Sequence, residues 1–151
     1  MTLSLLLERP EDWAAVKADP ALIQGAVAEA MRFEPPIGSL PRFLPEPIEI
    51  DGMTAPRGTL FLSTLSAMRD EEAYPDPDRF DIRRAGGPKP HIVFGGGAHR
   101  CLGEMLARIE MEEALAAMIE TAPDIELVAP ARMAGFGGIR KILPMKVRIP
   151  A

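Results

Sequence analysis

The spacing of apolar and polar residues predicts a few helices separated by short extended pieces. A short helix is expected over residues 10–19, with Pro10 at its first position and Glu11 and Asp12 in its positive first turn. A second begins at Asp19-Pro20, a capping residue followed by a proline whose missing N–H costs nothing there. Its apolar positions are Ile23, Ala26, Val27 and Ala30, and it must stop before Pro35-Pro36, because a residue preceding proline is pushed out of the α region. Over 38–63 the pattern shortens. Residues 48–50, a turn at Asp51-Gly52, and residues 59–62 after Pro56 and Gly58 are read together as a hairpin. Residues 70–90 carry prolines and charges without periodicity and form a long irregular connection. An apolar piece at 91–94 is broken by three glycines, and a long helix follows from Leu102 to about Thr121, closed by Pro123. The tail alternates strand-like pieces at 125–128, 142 and 145–149 with turns at Pro130, 135–138 and Pro144.

The long helix has two apolar sides. Leu102, Met105, Leu106 and Ile109 share one face, while Met111, Leu115 and Met118 lie nearly opposite. Such a helix is buried between two layers. In so short a chain, a cofactor, a partner or both must supply one of them.

Composition narrows the class. With 151 residues, 47% hydrophobic and 26% charged, the chain reads as one domain over 1–151 with a real core, which excludes a disordered tail, a collagen-like fibre or a coiled coil. Its 16 prolines are twice the usual ~5% share, so much of it must be turns and extended segments. No run approaches ~20 apolar residues, so no membrane association is expected. The apolar start, 1–8, lacks a basic flank and is not read as a signal peptide. A net charge of −5 argues against non-specific nucleic-acid binding. One cysteine permits no intrachain disulfide and suits a reducing cytoplasm; with two histidines it makes a four-ligand zinc site untenable.

The densest chemistry lies in residues 94–103, Phe-Gly-Gly-Gly-Ala-His-Arg-Cys-Leu-Gly. A nucleotide loop fails on offsets: no Gly-Lys-Ser/Thr follows the glycines, and Arg100 stands where a dinucleotide fingerprint needs its third glycine. A plainer reading makes Cys101 a small buried hydrophobe, the usual fate of a lone cysteine. The third makes it a metal-ligating thiolate at the start of a helix, favoured by unpaired N–H groups, the helix dipole and the charge of Arg100 and His99. The glycines would let the backbone approach a flat ligand. One thiolate cannot hold an iron–sulfur cluster but suffices for one axial position of haem iron.

These residues carry a resemblance. The pattern Phe94-x-x-Gly97-x-His99-x-Cys101-x-Gly103 resembles the haem-ligand loop of the cytochrome P450 haem-thiolate monooxygenases in their bacterial form. Glu29-Ala-Met-Arg32 is similar to that family's Glu-x-x-Arg pair, and Pro75-Asp-Pro-Asp-Arg79-Phe80 to the segment supplying the second arginine of its ion-pair triad. Taken alone, Glu29 and Arg32 would be an ordinary surface pair; the set, in order, carries the likeness from Leu5 to Ile149.

The resemblance implies an α+β fold corresponding to the C-terminal part of the cytochrome P450 fold, with haem b as cofactor and Cys101 as its axial iron ligand. It also implies that Arg42, His91 and His99 meet the haem propionates, that Phe94, Gly95, Leu102, Gly103 and Ala107 line the haem, and that Glu29, Arg32 and Arg79 form a structural ion-pair triad. Residues 37–40 and 135–138 correspond to pocket-lining stretches. The family's oxygen side, a small residue, glycine, an acidic residue and threonine in succession, has no counterpart around the threonines at 2, 54, 59, 64 and 121. The expected function is therefore O2-dependent oxidation or hydroxylation of a small organic substrate only when a distal half completes the site. The isolated chain is expected to be inactive, and no residue is named as catalytic. The alternative is a non-catalytic haem-binding or sensing module, or a folded remnant without haem. Expected partners are a distal-half polypeptide or a second copy, and a ferredoxin- or flavin-type electron donor on the cysteine side, where Arg100 and Arg108 are available.

Overall fold

The computed structural model describes residues 1–84, 92–135 and 137–150. Helices α1 (Thr2–Leu7), α2 (Pro10–Ala18) and α3 (Ile23–Phe33) come first, followed by strands β1 (Ser39–Leu44), β2 (Ile48–Ile50), β3 (Met53–Ala55) and β4 (Gly58–Ser63) and the single turn α4 (Thr64–Ala67). The long α5 (Glu104–Thr121) precedes β5 (Glu126–Ala129), β6 (Arg132–Ala134), β7 (Lys141–Leu143) and β8 (Lys146–Arg148). The class is α+β: the strands pair only as antiparallel ribbons, β1 with β4, β2 with β3, β5 with β8 and β6 with β7. Among the described residues, no helix is long and apolar enough to cross a membrane.

The core lies among the helices. Leu5 and Leu6 of α1, Trp13 and Val16 of α2, and Ile23, Ala26, Val27 and Ala30 of α3 pack with Leu115 of α5 and with Phe80 and Ile82. Asp19 caps the start of the second predicted helix by accepting the Ala21 N–H at 3.1 Å, although its first turn, Pro20–Leu22, is 3-10 rather than α. Gly25 is obligatory on α3: a Cβ there would sit 2.4 Å from the Ile82 carbonyl oxygen. This contact presses the irregular 70–84 segment directly against the helix.

Two expectations change. The hairpin turn at Asp51-Gly52 forms, with both residues at positive φ (48° and 75°), but it joins β2 to β3. Such a two-residue turn pairs only the residues flanking it, so residues 59–62 pair instead with β1, Leu40 opposite Leu62 and Arg42 opposite Leu60. The long helix begins at Glu104, with Gly103 as its N-terminal cap residue, so Cys101 lies in the preceding loop rather than in the first turn.

Candidate functional site

Residues 92–103 are shaped before they reach the helix. Val93 is buried with Met68 and Tyr74 in a small second core, and this anchors the Ile92–Phe94 turn. Gly95 and Gly97 take φ of +76° and +71°, a region that side-chain-bearing residues avoid, and they bend the chain back on itself. The Cys101 N–H then donates to the Phe94 carbonyl at 2.8 Å and closes the loop at its base. Arg100 braces it from outside: its Nη1 donates to the Gly95 carbonyl at 3.1 Å, and its Nε and Nη2 form a fork on Glu104 at 2.6 and 2.9 Å. Glu104 also pairs with Arg108 at 3.2 Å. The hydrogen bonds from Arg100, joined by those from Arg108, hold the Glu104 carboxyl below its ordinary range.

The thiol of Cys101 is free and exposed. It faces a cleft of about 600 Å³ formed by Pro36, Ile37, Leu40 and Arg42 from the 36–42 segment and by Val93, Phe94, Gly95, Gly96, His99 and Cys101 from the loop. The walls are largely apolar, and Arg42 and His99 add polar groups to the lining. Gly103 adjoins it: a Cβ there would come within 3.9 Å of Sγ. Leu102 is wholly exposed and Met105, Leu106 and Ile109 are 69%, 61% and 47% exposed, so one apolar face of α5 has no cover among the described residues. The opposite face is the core side, with Leu115 4% exposed and Met111 and Met118 packed against the cluster.

The structure thus brings Arg42, Phe94, Gly95, His99 and Cys101 to one cleft, with Gly103 beside the sulfur. Ala107 sits one turn along α5, its N–H on the Gly103 carbonyl at 2.9 Å. His91 lies outside the described residues. Among the described residues, no group of three or more His, Cys, Asp or Glu side chains could hold a metal ion. The chemistry of the cleft is therefore that of one exposed thiol on an apolar slot. Such a slot suits a flat apolar ligand whose carboxylates would find Arg42 and His99. On donor chemistry and shape, haem fits.

The predicted triad needs a correction. Arg32 grips Glu29 with two parallel hydrogen bonds of 2.8 Å, and both side chains are buried at 1% and 4% exposure. The remaining Arg32 N–H groups donate to the carbonyls of Met68, Pro77 and Arg79. Arg79, however, turns outward and pairs with Asp81 at 2.6 Å. The second arginine on Glu29 is Arg84, 3.1 Å from Oε2. Phe80 and Ile82 are buried in the core, and a turn closed by the Arg84 N–H on the Asp81 carbonyl at 3.1 Å brings Arg84 back onto Glu29. Burial pushes the Glu29 carboxyl up, but the bonds from Arg32, Arg84 and the Asp81 N–H outweigh it and hold the group below its ordinary range.

Comparison with known proteins gives a consistent picture. The family model described as Cytochrome P450 matches residues 17–121. The plant-inducible cytochrome P450-pinF1 of Rhizobium radiobacter is 42% identical over 99% of this chain, and the cytochrome P450 monooxygenase PikC of Streptomyces venezuelae is 43% identical over 95%. The chain spans 36% of the length of each. Among solved structures, P450BioI in complex with hexadec-9Z-enoic acid-ligated acyl carrier protein superposes with a TM-score of 0.89 at 33% identity, over 99% of this chain and 39% of that one.

Proposed function

Because the chain belongs to the cytochrome P450 family, we propose that it is the thiolate side of a haem-thiolate monooxygenase and that Cys101 is the axial iron ligand. The observation that carries this is the position of the free Cys101 thiol in an apolar cleft that also holds Arg42 and His99. Haem b bound there would supply dioxygen activation, aided by electron donation from the thiolate. Arg42 and His99 would donate hydrogen bonds to its propionates, and the resemblance adds His91 as a third donor. Phe94, Gly95, Leu102, Gly103 and Ala107 line the macrocycle. The Arg100–Glu104–Arg108 network fixes the loop that presents the sulfur. A ferredoxin- or flavin-type donor docks on this cysteine side. A reducing cytoplasm is the fitting compartment, since the ligand must stay a free thiol.

Oxidation of a small organic substrate requires more than this chain carries. The stretch of small residue, glycine, acid and threonine that would deliver protons to bound oxygen has no counterpart in this sequence, and the apolar face of α5 lies open among the described residues. A polypeptide carrying the distal helices completes both, and without it the chain self-associates through that face. The test is to load the full chain with haemin, reduce it, add carbon monoxide and record the Soret band. A thiolate-type position that disappears in Cys101→Ala is expected. A histidine-type band, or the same band in Cys101→Ala, would refute the assignment.

A further inference from the structure

The segment between α3 and β1, which supplies Pro36 and Ile37 to the cleft, lies outside the β1–β4 ladder. Two consecutive prolines remove its first donors, and its carbonyls need partners from elsewhere. On one side Thr64, itself buried, serves them: its hydroxyl donates to the Ile37 carbonyl and its N–H to Gly38 at 3.2 Å. On the other side comes the turn between β6 and β7, about a hundred residues away in sequence. Gly38 N–H donates to the Gly138 carbonyl at 2.7 Å, Gly138 N–H to the Ser39 hydroxyl at 3.2 Å, and Arg140 N–H to the Pro36 carbonyl at 2.8 Å.

The Arg140 side chain fastens this contact. Its Nη1 lies 3.0 Å from Oε2 of Glu34 and donates to the Pro35 carbonyl at 3.1 Å, while its Nε donates to the Gly135 carbonyl at 3.2 Å. One planar fork therefore grips the start of the cleft wall and the base of its own turn together, which a lysine cannot do. The inside-out pattern marks this as specific: the Arg140 side chain is 10% exposed, while the neighbouring Ile139 is 84% exposed. An arginine taken inward in place of an isoleucine reverses the hydrophobic default.

We infer that Arg140 is a positioning residue that clamps the 135–140 turn onto the 34–39 wall and so sets the shape of the cleft beside Cys101. The consequence for the ligand rests on the haem reading above; the clamp itself does not. The test uses the full chain and two readouts, amide hydrogen exchange at Gly38 and Gly138 and fluorescence titration with metal-free protoporphyrin IX, which does not depend on ligation by Cys101. In Arg140→Met, exchange at both glycines should rise about tenfold, the effect of losing a charge-assisted hydrogen bond, while Val27 and Ala30 amides in α3 stay protected. Porphyrin affinity should fall several-fold. Arg140→Lys should retain the pairing with Glu34 yet still raise exchange, and it decides the matter if the methionine variant fails to fold. Unchanged exchange, full rescue by lysine, or faster exchange with undiminished porphyrin affinity would each overturn the proposal. A wild-type chain that binds neither this porphyrin nor haemin would sink the haem reading and leave the exchange result to decide the clamp.

Discussion

The two arginine-rich regions of this molecule are built on opposite terms. Around Glu29 the chain satisfies itself: Arg32 and Arg84 pair with the carboxylate, and the spare N–H groups of both guanidiniums find carbonyls in the irregular segment. Around Cys101 the loop is equally well braced, by Arg100, Glu104 and the Phe94 carbonyl, yet what it presents is left open: a free thiol, a cleft and an uncovered apolar stripe. Buried charge demands local compensation, because an unpaired ion in the interior costs several kcal/mol. An apolar surface exposed to water carries no comparable local demand and can wait for a ligand. The first region stabilises the scaffold; the second is shaped for something else to bind.

The largest effect should come from breaking the self-contained region. Arg32→Ala strands a buried carboxylate and several carbonyls, and urea unfolding should lose about 3–5 kcal/mol. A midpoint near that of the wild type would show the cluster to be superficial. On the core side of α5, Leu115→Ala should cost about 2–5 kcal/mol through its cavity, whereas Leu106→Glu on the open side should change stability by no more than ~0.5 kcal/mol. The same Leu106→Glu should reduce self-association in a sedimentation dilution series. Equal destabilisation by both substitutions would mean that the open face is covered after all.

The assignment of Arg84 rather than Arg79 sharpens the contrast. Arg84→Ala removes one of two partners from Glu29 and should destabilise by about 2 kcal/mol, while Arg79→Ala, on an exposed pair, should leave the unfolding midpoint close to that of the wild type; the reverse order would restore Arg79 to the cluster. The smallest effect is in pH. Because the Glu29 carboxyl is held below its ordinary range, its stabilisation is fully present above that range and is lost as pH falls through the depressed value. Unfolding free energy should therefore drop on acidification, and by less in Arg84→Ala than in the wild type. A pH dependence unchanged by that substitution would argue against the linkage.

Much was readable from residue order. Pro10, Asp19-Pro20 and Pro35-Pro36 bounded the first helices because capping and proline geometry are local. The two faces of α5 followed from spacing along one helix. The loop glycines and Cys101 stood out because positive φ and a lone thiol are properties of single positions. What the sequence could not decide were partners distant along the chain. Strand β4 could have paired with β2 by proximity, yet it pairs with β1; either arginine could have reached Glu29, and only the turn over residues 81–84 selected Arg84. Arg140 carried no local signal at all, since its partners at Glu34 and Pro35 are set by how the 135–140 turn docks. Local dihedral preferences and periodicity are written residue by residue. Which carbonyl receives which donor depends on the packing of the whole chain, and the tertiary structure alone decides it.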